Sequence, residues 1–361
     1  MVLIEPQQST PPTTLWVVPV SDLGGVARHV IDVVRIGVPG WRIVVLAPPG
    51  PLVRECRAVG GAVLAEPFGP DHGVRRSVRT LRRAIRRLRP ALVHAHLSYA
   101  DIIAALAVTT PAPVLVSTEH GIAGDDRVYH GTRSKSWFMA EVHHARLARV
   151  QGLIAVSGAT ARTVKAKWRP RANLPIETIP NGVDRAEPSG GHPGGLRIGA
   201  LSRLAPEKGL ADLIEAFALL RLAHPEARLT IAGVGPLNTE LRGRTAAHGL
   251  TDVVAFPGFV DSRALLAEID VMAQLSVWEN CSYALLDALR AGLGIVATDV
   301  GGNAELLPRH CLVAPGDVAA AAERIVQQAL NPDRRPALPT GWPSVPDMCA
   351  DIASFYSRVV R

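Results

Sequence analysis

Two basic side chains stand five positions apart in one short turn. Arg203 and Lys208 stand in Ser202-Arg203-Leu204-Ala205-Pro206-Glu207-Lys208-Gly209, a Pro-containing turn between a Leu196–Leu201 strand candidate and a Leu210–Leu222 helix candidate. A guanidinium forks onto two oxygens and an ammonium acts as a point charge, so the pair suits a diphosphate; a solvated basic turn is the plainer alternative. Ser276-Val277-Trp278-Glu279-Asn280-Cys281-Ser282-Tyr283 leads from a strand into a helix whose first N–H groups attract anions, and Asp287 follows in that helix. Glu279 and Asp287 are acids eight positions apart, acceptors for sugar hydroxyls at two ends of one ligand, or else an exposed loop acid and a surface helix charge. Gly24-Gly25 lets a backbone approach a ligand between the first strand and its helix, although it is not the dinucleotide fingerprint. Glu119-His120-Gly121 closes another strand and offers an imidazole at the crevice, where a lone histidine is more often structural.

These residues need a scaffold that presents strand ends on one rim. Short Val/Ile/Leu runs alternate with amphipathic segments of helix length, the pattern of parallel sheets buried on both faces. Strands are expected at Leu15–Val20, Arg42–Ala47, Ala91–His94, Val114–Thr118 and Leu153–Val156, then Leu196–Leu201, Arg228–Ala232, Val253–Phe256, Val271–Leu275 and Gly294–Ala297. Helices are expected at Val26–Arg35, Val74–Leu88, Asp101–Val108 and Ala159–Trp168, then Leu210–Leu222, Leu237–His248, Ser262–Glu268, Ser282–Ala291, Val318–Leu330 and Met348–Val360. The division is a disordered 1–13, an α/β domain over 14–187, a Pro/Gly linker over 188–195, a second over 196–330, and a Pro-rich crossover with a terminal helix over 331–361. Two facing Rossmann-like domains bind ligands beyond the carboxyl ends of their strands.

Composition narrows the partners. With 39 Lys+Arg against 32 Asp+Glu the formal charge is +7, which favours an anionic partner, while 4% aromatics leave few stacking platforms for nucleic acid, and none is expected. The four cysteines, Cys56, Cys281, Cys311 and Cys349, lie far apart and read as reduced thiols. The pairs His94/His96 and His143/His144 lack a carboxylate or thiol at ligand spacing and read as structural. No signal-type or membrane-spanning run stands out, so the expected location is the cytoplasm, with peripheral contact at the inner membrane face through one helix. In that helix Arg75, Arg76, Arg79, Arg82, Arg83, Arg86, Arg87 and Arg89 surround a stripe of Val78, Leu81, Ile85 and Leu88. Its basic face suits anionic lipid; a packed helix with solvated arginines is the plainer reading. Gly124–Lys135 shows neither period and is a candidate border of an acceptor pocket.

In order and spacing, Arg203–Gly209, Thr230–Gly235, Phe256–Val260, Glu279–Glu305, Ala155-Val156-Ser157 and Ile179-Pro180-Asn181-Gly182-Val183-Asp184 resemble glycosyltransferase family 4, from Thr14 to about Leu330. The resemblance implies a GT-B fold and a retaining enzyme that moves a hexosyl group from a nucleotide-diphosphate sugar, UDP- or GDP-linked, to a hydroxyl of a glycolipid, oligosaccharide or natural product. It implies that His120 contacts the donor sugar, Arg203 and Lys208 neutralise the diphosphate, and Glu279 holds sugar hydroxyls. Gly24 and Gly25 would approach the phosphates or the reaction centre, amides of Asn280, Cys281, Ser282 and Tyr283 would hold phosphate, Asp287 would bind ribose, and Gly258, Phe259 and Val260 would lie near the base. No Asp-x-Asp stands out, so no metal or other cofactor is expected. The sequence departs from the family pattern at Asp287 for Glu, Ser202 for Gly, Asn280–Tyr283 for a Gly-Phe-Gly loop, Leu275 for Pro and Gly294 for Pro. An epimerase or hydrolase on the same scaffold, distinguished by product without acceptor, and a noncatalytic sugar-nucleotide-binding protein are the alternatives.

Overall fold

A computed structural model describes residues 10–109, 112–122, 141–184 and 194–360. Two parallel sheets organise it. The first has seven strands in the order β3-β2-β1-β4-β5-β6-β7, built from β1 (Thr13–Val17), β2 (Arg42–Ala47), β3 (Ala62–Ala65), β4 (Leu92–His96), β5 (Val114–Glu119), β6 (Gly152–Ala155) and β7 (Ile176–Thr178). The second has six in the order β10-β9-β8-β11-β12-β13, from β8 (Arg197–Leu201), β9 (Arg228–Ala232), β10 (Val254–Gly258), β11 (Val271–Gln274), β12 (Gly294–Thr298) and β13 (Leu312–Val313). Both reverse direction of growth once, between β1 and β4 and between β8 and β11, and each reversal opens a crevice at the carboxyl ends.

Central strands such as β1, β4 and β12 are buried along their whole length, so their apolar runs do not alternate with polar residues. Helices α1 (Gly25–Ile36), α2 (Pro51–Ala58), α3 (Val74–Leu88), α4 (Ser98–Ala107) and α5 (Gly158–Trp168) flank the first sheet; α6 (Leu210–Arg221), α7 (Asn238–Ala247), α8 (Ser262–Glu268), α9 (Tyr283–Arg290), α10 (Asn303–Leu306) and α11 (Val318–Leu330) belong to the second half. The last helix, α12 (Val345–Val359), returns to the first domain. Its Val345, Met348, Cys349, Ile352, Phe355 and Tyr356 enter the core formed by Trp16, Val30 and Val45, and Trp16 Nε1 donates to Tyr356 Oη at 2.9 Å. A Ser344/Asp347 capping box and Pro346 in the first turn start it three residues before the expected Met348.

Arg42–Ala47, Val74–Leu88, Arg228–Ala232, Ser262–Glu268 and Val318–Leu330 fall where the sequence puts them. The first strand ends at Val17 rather than Val20, because Pro19 cannot donate to the ladder. Additional to the expected elements of the first domain are α2, with three buried residues, the helical stretch 141–147, and the half-exposed edge strands β3 and β7. Of the expected disordered segment 1–13, residues 1–9 lie outside the described residues, but Thr13 is buried and opens β1, paired with β2; the linker at 188–193 and Gly124–Lys135 also lie outside the described residues.

On α3 the apolar stripe is spent on the fold: Leu81 is fully buried and Val78, Ile85 and Leu88 pack on the same core, while all eight arginines named above are exposed. Arg82 is tied down by the carbonyls of Leu106 and Ala107. Among the described residues no helix is long and apolar enough to cross a membrane.

Candidate functional site

The second sheet's reversal point carries the charged residues. Past β8, Arg203 and Lys208 bracket the single turn Pro206–Lys208, and Gly209 then turns the chain into α6 with φ +59°. A Cβ there would sit 1.9 Å from the Leu275 carbonyl oxygen, so glycine lets this turn press against the neighbouring loop after β11. That contact brings Lys208 Nζ onto Glu279 Oε1, which also accepts from Ser276 Oγ at 3.1 Å. Lys208 lies 5.9 Å from the Trp278 ring centroid. Arg203 pairs instead with Glu207, a buried acid that sequence reasoning missed. The Arg203 side chain stays 64% exposed against 19% for Lys208, so Lys208 is the better anchored of the two charges.

The Glu279 loop is clamped from behind. Gly301, at φ +53°, and Gly302 pass so close to it that a Cβ on either would lie 1.7 Å from the carbonyl oxygen of Glu279 or Asn280. Ser282 caps α9, its Oγ accepting from Leu285 N and from Gln274 Nε2. Asn280 Oδ1 accepts from Thr160 Oγ1 of α5 at 2.7 Å. Burial pushes the Cys281 thiol up to about 12, which disfavours its thiolate. On the same rim, Gly258 (φ +80°) ends β10, its carbonyl accepting from Gly233 N at 2.7 Å; Phe259 is 65% exposed, and Val260 packs on the core beneath α9.

The first domain faces this rim. Gly24 is extended with open space where a side chain would be, and a Cβ on Gly25 would lie 4.0 Å from the Tyr283 ring. A Cβ on Gly121 would be 3.1 Å from the Trp278 indole, which puts the His120-Gly121 turn against the loop bearing Glu279. Asp287 points across the junction to Arg28 of α1 at 3.4 Å, and Arg28 also holds Asp32 at 2.7 Å and overlies Tyr283. Burial raises the Asp287 carboxyl, with the Arg28 and Arg290 charges opposing it. Glu305 accepts from the amides of Gly158 and Ala159 at 2.8 and 2.6 Å, a carboxylate of the second half capping a helix of the first. Sequence reasoning missed Arg28 and Glu305, though Arg28 stands one turn after Gly24-Gly25 and Glu305 closes the Glu279–Glu305 stretch.

His120 belongs to a histidine cluster. His96 Nδ1 and His120 Nε2 are 2.9 Å apart, and His29 stands edge-on to His120 at 4.8 Å between ring centroids. Burial drives all three imidazoles to the neutral form, His29 to about 4 and His96 and His120 well below the usual histidine range. His94 fits its structural reading, with one nitrogen on Tyr356 Oη and the other on Thr118 Oγ1. The His96 side of that pair faces the site instead.

Comparison with known proteins adds the ancestry. The family model described as Glycosyltransferase Family 4 matches residues 23–187, and the one described as Glycosyl transferases group 1 matches residues 195–331. The chain belongs to the family 4 glycosyltransferases. Proteins of similar sequence include the 2-deoxystreptamine glucosyltransferase of Streptomyces kanamyceticus, 31% identical over 59% of this chain and 58% of that protein. A component of the phosphatidylinositol N-acetylglucosaminyltransferase of Arabidopsis thaliana is 28% identical over 75% of this chain and 62% of its own. The chain thus matches about three fifths of the length of these relatives. Anabaena HepE, solved with UDP and glucose, shares the GT-B fold over 95% of both chains at 22% identity and a TM-score of 0.75.

Proposed function

We propose that this family 4 glycosyltransferase is a retaining, metal-independent hexosyltransferase that moves sugar from a nucleotide diphosphate, UDP-linked first, to a hydroxyl acceptor. The observation that carries the reading is the Arg203, Lys208 and Glu279 group gathered at the second sheet's reversal point beside the start of α9. The UDP and glucose named with HepE support the choice of donor.

In the reaction the bond from the anomeric carbon to the diphosphate oxygen breaks, and the acceptor oxygen adds on the same face. The proton leaves the acceptor for the departing phosphate. Lys208, Arg203 and the N–H groups opening α9 meet the negative charge as it develops, which is why they favour the transition state over the bound donor. Glu279 holds sugar hydroxyls, Asp287 receives the ribose with Arg28 behind it, and Phe259 stacks beside the base. Neutral His120 hydrogen-bonds the sugar without adding a cation near the oxocarbenium-like carbon.

Thermal unfolding in the presence of UDP-, GDP-, ADP- and dTDP-sugars tests the donor: a UDP-hexose at a hundred times its Kd is expected to add about 2.7 kcal/mol to stability. Mass analysis with a hydroxyl acceptor is expected to show transfer without added Mn²⁺ or Mg²⁺; stabilisation by none of the four sugars overturns the reading. The α3 basic face docks on anionic lipid by charge alone in this proposal, since its apolar stripe is buried. Co-sedimentation with anionic vesicles at low salt, lost at high salt and absent with neutral vesicles, is the expected result; no binding at low salt refutes it.

A further inference from the structure

The histidine cluster holds more nitrogen lone pairs than the fold uses. Asn181 Nδ2 donates to the Cys281 carbonyl at 2.8 Å, which orients Asn181 Oδ1 toward His29 Nδ1 at 3.2 Å. An amide oxygen only accepts, so His29 carries its proton on Nδ1 and leaves Nε2 as a bare lone pair. That atom is buried and has no partner among the described residues, and His29 is 2% exposed. His96, fully buried, likewise has an unpartnered Nε2, while its Nδ1 meets His120 Nε2. One nitrogen from each of His29, His96 and His120 falls within 4.8 Å of the others. Leaving buried polar atoms unsatisfied is costly, so an occupant that takes up these nitrogens is favoured.

We propose that His29, His96 and His120 form a three-imidazole site for a borderline transition-metal ion, Zn²⁺ above all, whose binding blocks sugar transfer. The last clause rests on the glycosyltransferase reading; the site itself does not. Metal–nitrogen bonds of about 2.0–2.1 Å put tetrahedral ligand nitrogens about 3.3 Å apart. One nitrogen of each ring already lies within 4.8 Å of the others, so ring movements of about 1 Å, which part the His96–His120 hydrogen bond, bring them to that spacing. Neutral imidazoles are the required ligand form, and binding is therefore expected to weaken as pH falls. Asn181 on His29 Nδ1 is the outer partner that fixes a ligating tautomer. With nitrogen donors and no carboxylate in the group, the site disfavours Mg²⁺ and Mn²⁺. His120 is only partly buried, so the fourth position opens toward the cleft for water or an anion. His94 is excluded as a ligand because both its nitrogens are engaged.

Occupation takes His120 away from the donor sugar and sets a cation where positive charge develops, hence inhibition. This is compatible with transfer that needs no metal.

The test titrates the chelator-treated protein with Co²⁺ and reads its ligand-field absorption, with Zn²⁺ as competitor. One equivalent with a tetrahedral spectrum, displaced by Zn²⁺ and not by Mg²⁺, is expected. His29→Gln and His96→Gln are expected to abolish it, and Asn181→Ala to weaken it about 10–100-fold through the outer shell. Unchanged Co²⁺ binding in His29→Gln and His96→Gln, or no binding by the wild type, overturns the site. Should those variants fail to fold by circular dichroism, anomalous diffraction from wild-type crystals soaked in Zn²⁺ decides: a peak between the three rings supports it and a peak elsewhere or none refutes it. Inhibition by Zn²⁺, reversed by chelator, is read separately once a donor is turned over; binding without inhibition keeps the site and removes the regulatory clause.

Discussion

Lys208→Ala is expected to lower kcat about 10²–10³-fold, the effect of removing one preorganised charge stabiliser at about 2.7–4 kcal/mol. The magnitude follows from its setting. Lys208 is held by Glu279 and lies near Trp278 with only 19% of its side chain exposed, where water screens it little. Arg203→Ala is expected to do less, because a side chain 64% exposed is better screened and loses more entropy on reaching the same anion. Glu279→Gln separates two roles of that acid. It keeps the shape but releases Lys208, so donor KM rises with a smaller fall in kcat if Glu279 binds sugar hydroxyls. Steady-state kinetics with the donor identified by thermal stabilisation check all three. Near-wild-type turnover of Lys208→Ala removes this group from the reaction.

The same pair shows what the sequence could and could not say. Arg203 and Lys208 were legible as two cations past the end of one buried strand, but their partners were not. Glu207 looks like any turn acid, yet the fold buries it under Arg203. Glu279 was legible as an acid in a strand-to-helix loop; its contact with Lys208 required Gly209 to press one loop on another, a long-range event with no local signature. Asp287 reads as facing a ligand, and its link to Arg28 depends on how two domains meet. The strands were readable wherever both faces are buried, and β3, β7 and the two-residue β13 escaped because short edge strands lack a sustained apolar run. The terminal helix was visible as a helix, but its return to the first sheet was not, since amphipathicity names a buried face without naming what covers it.

Arg146→Met is expected to destabilise the protein by about 3–5 kcal/mol, the effect of stranding buried charge. Arg146, in the helical stretch 141–147, is 3% exposed; its guanidinium bonds Asp101 of α4 and Glu119 at the end of β5, lies 4.8 Å from the Trp168 ring centroid, and donates through Nε to His143 at 2.8 Å. One cation faces two carboxyls, so burial favours keeping a proton on one of them. Asp101 is that group: desolvation lifts it to about 8 against the pull of Arg146, with the Glu119 charge adding to the lift. Its folded value lies above its unfolded 3.8, so the folded state binds the extra proton, and the stabilisation it brings is complete below about 4 and lost as pH climbs through about 8. In the intervening window the slope is about 1.4 kcal/mol per pH unit for one proton. Asp101→Asn mimics the protonated acid, so it is expected to fold with near-wild-type stability at neutral pH and to flatten that slope. Urea unfolding of wild type, Asp101→Asn and Arg146→Met from pH 5 to 9, on the order of the window just given, reads both effects. Because Glu119 adjoins His120, the triad is also the footing of the turn that meets Trp278: Arg146→Met should lower transfer together with stability, whereas Asp101→Asn should leave transfer intact, and equal stability of all three proteins would show that the triad carries no buried charge balance.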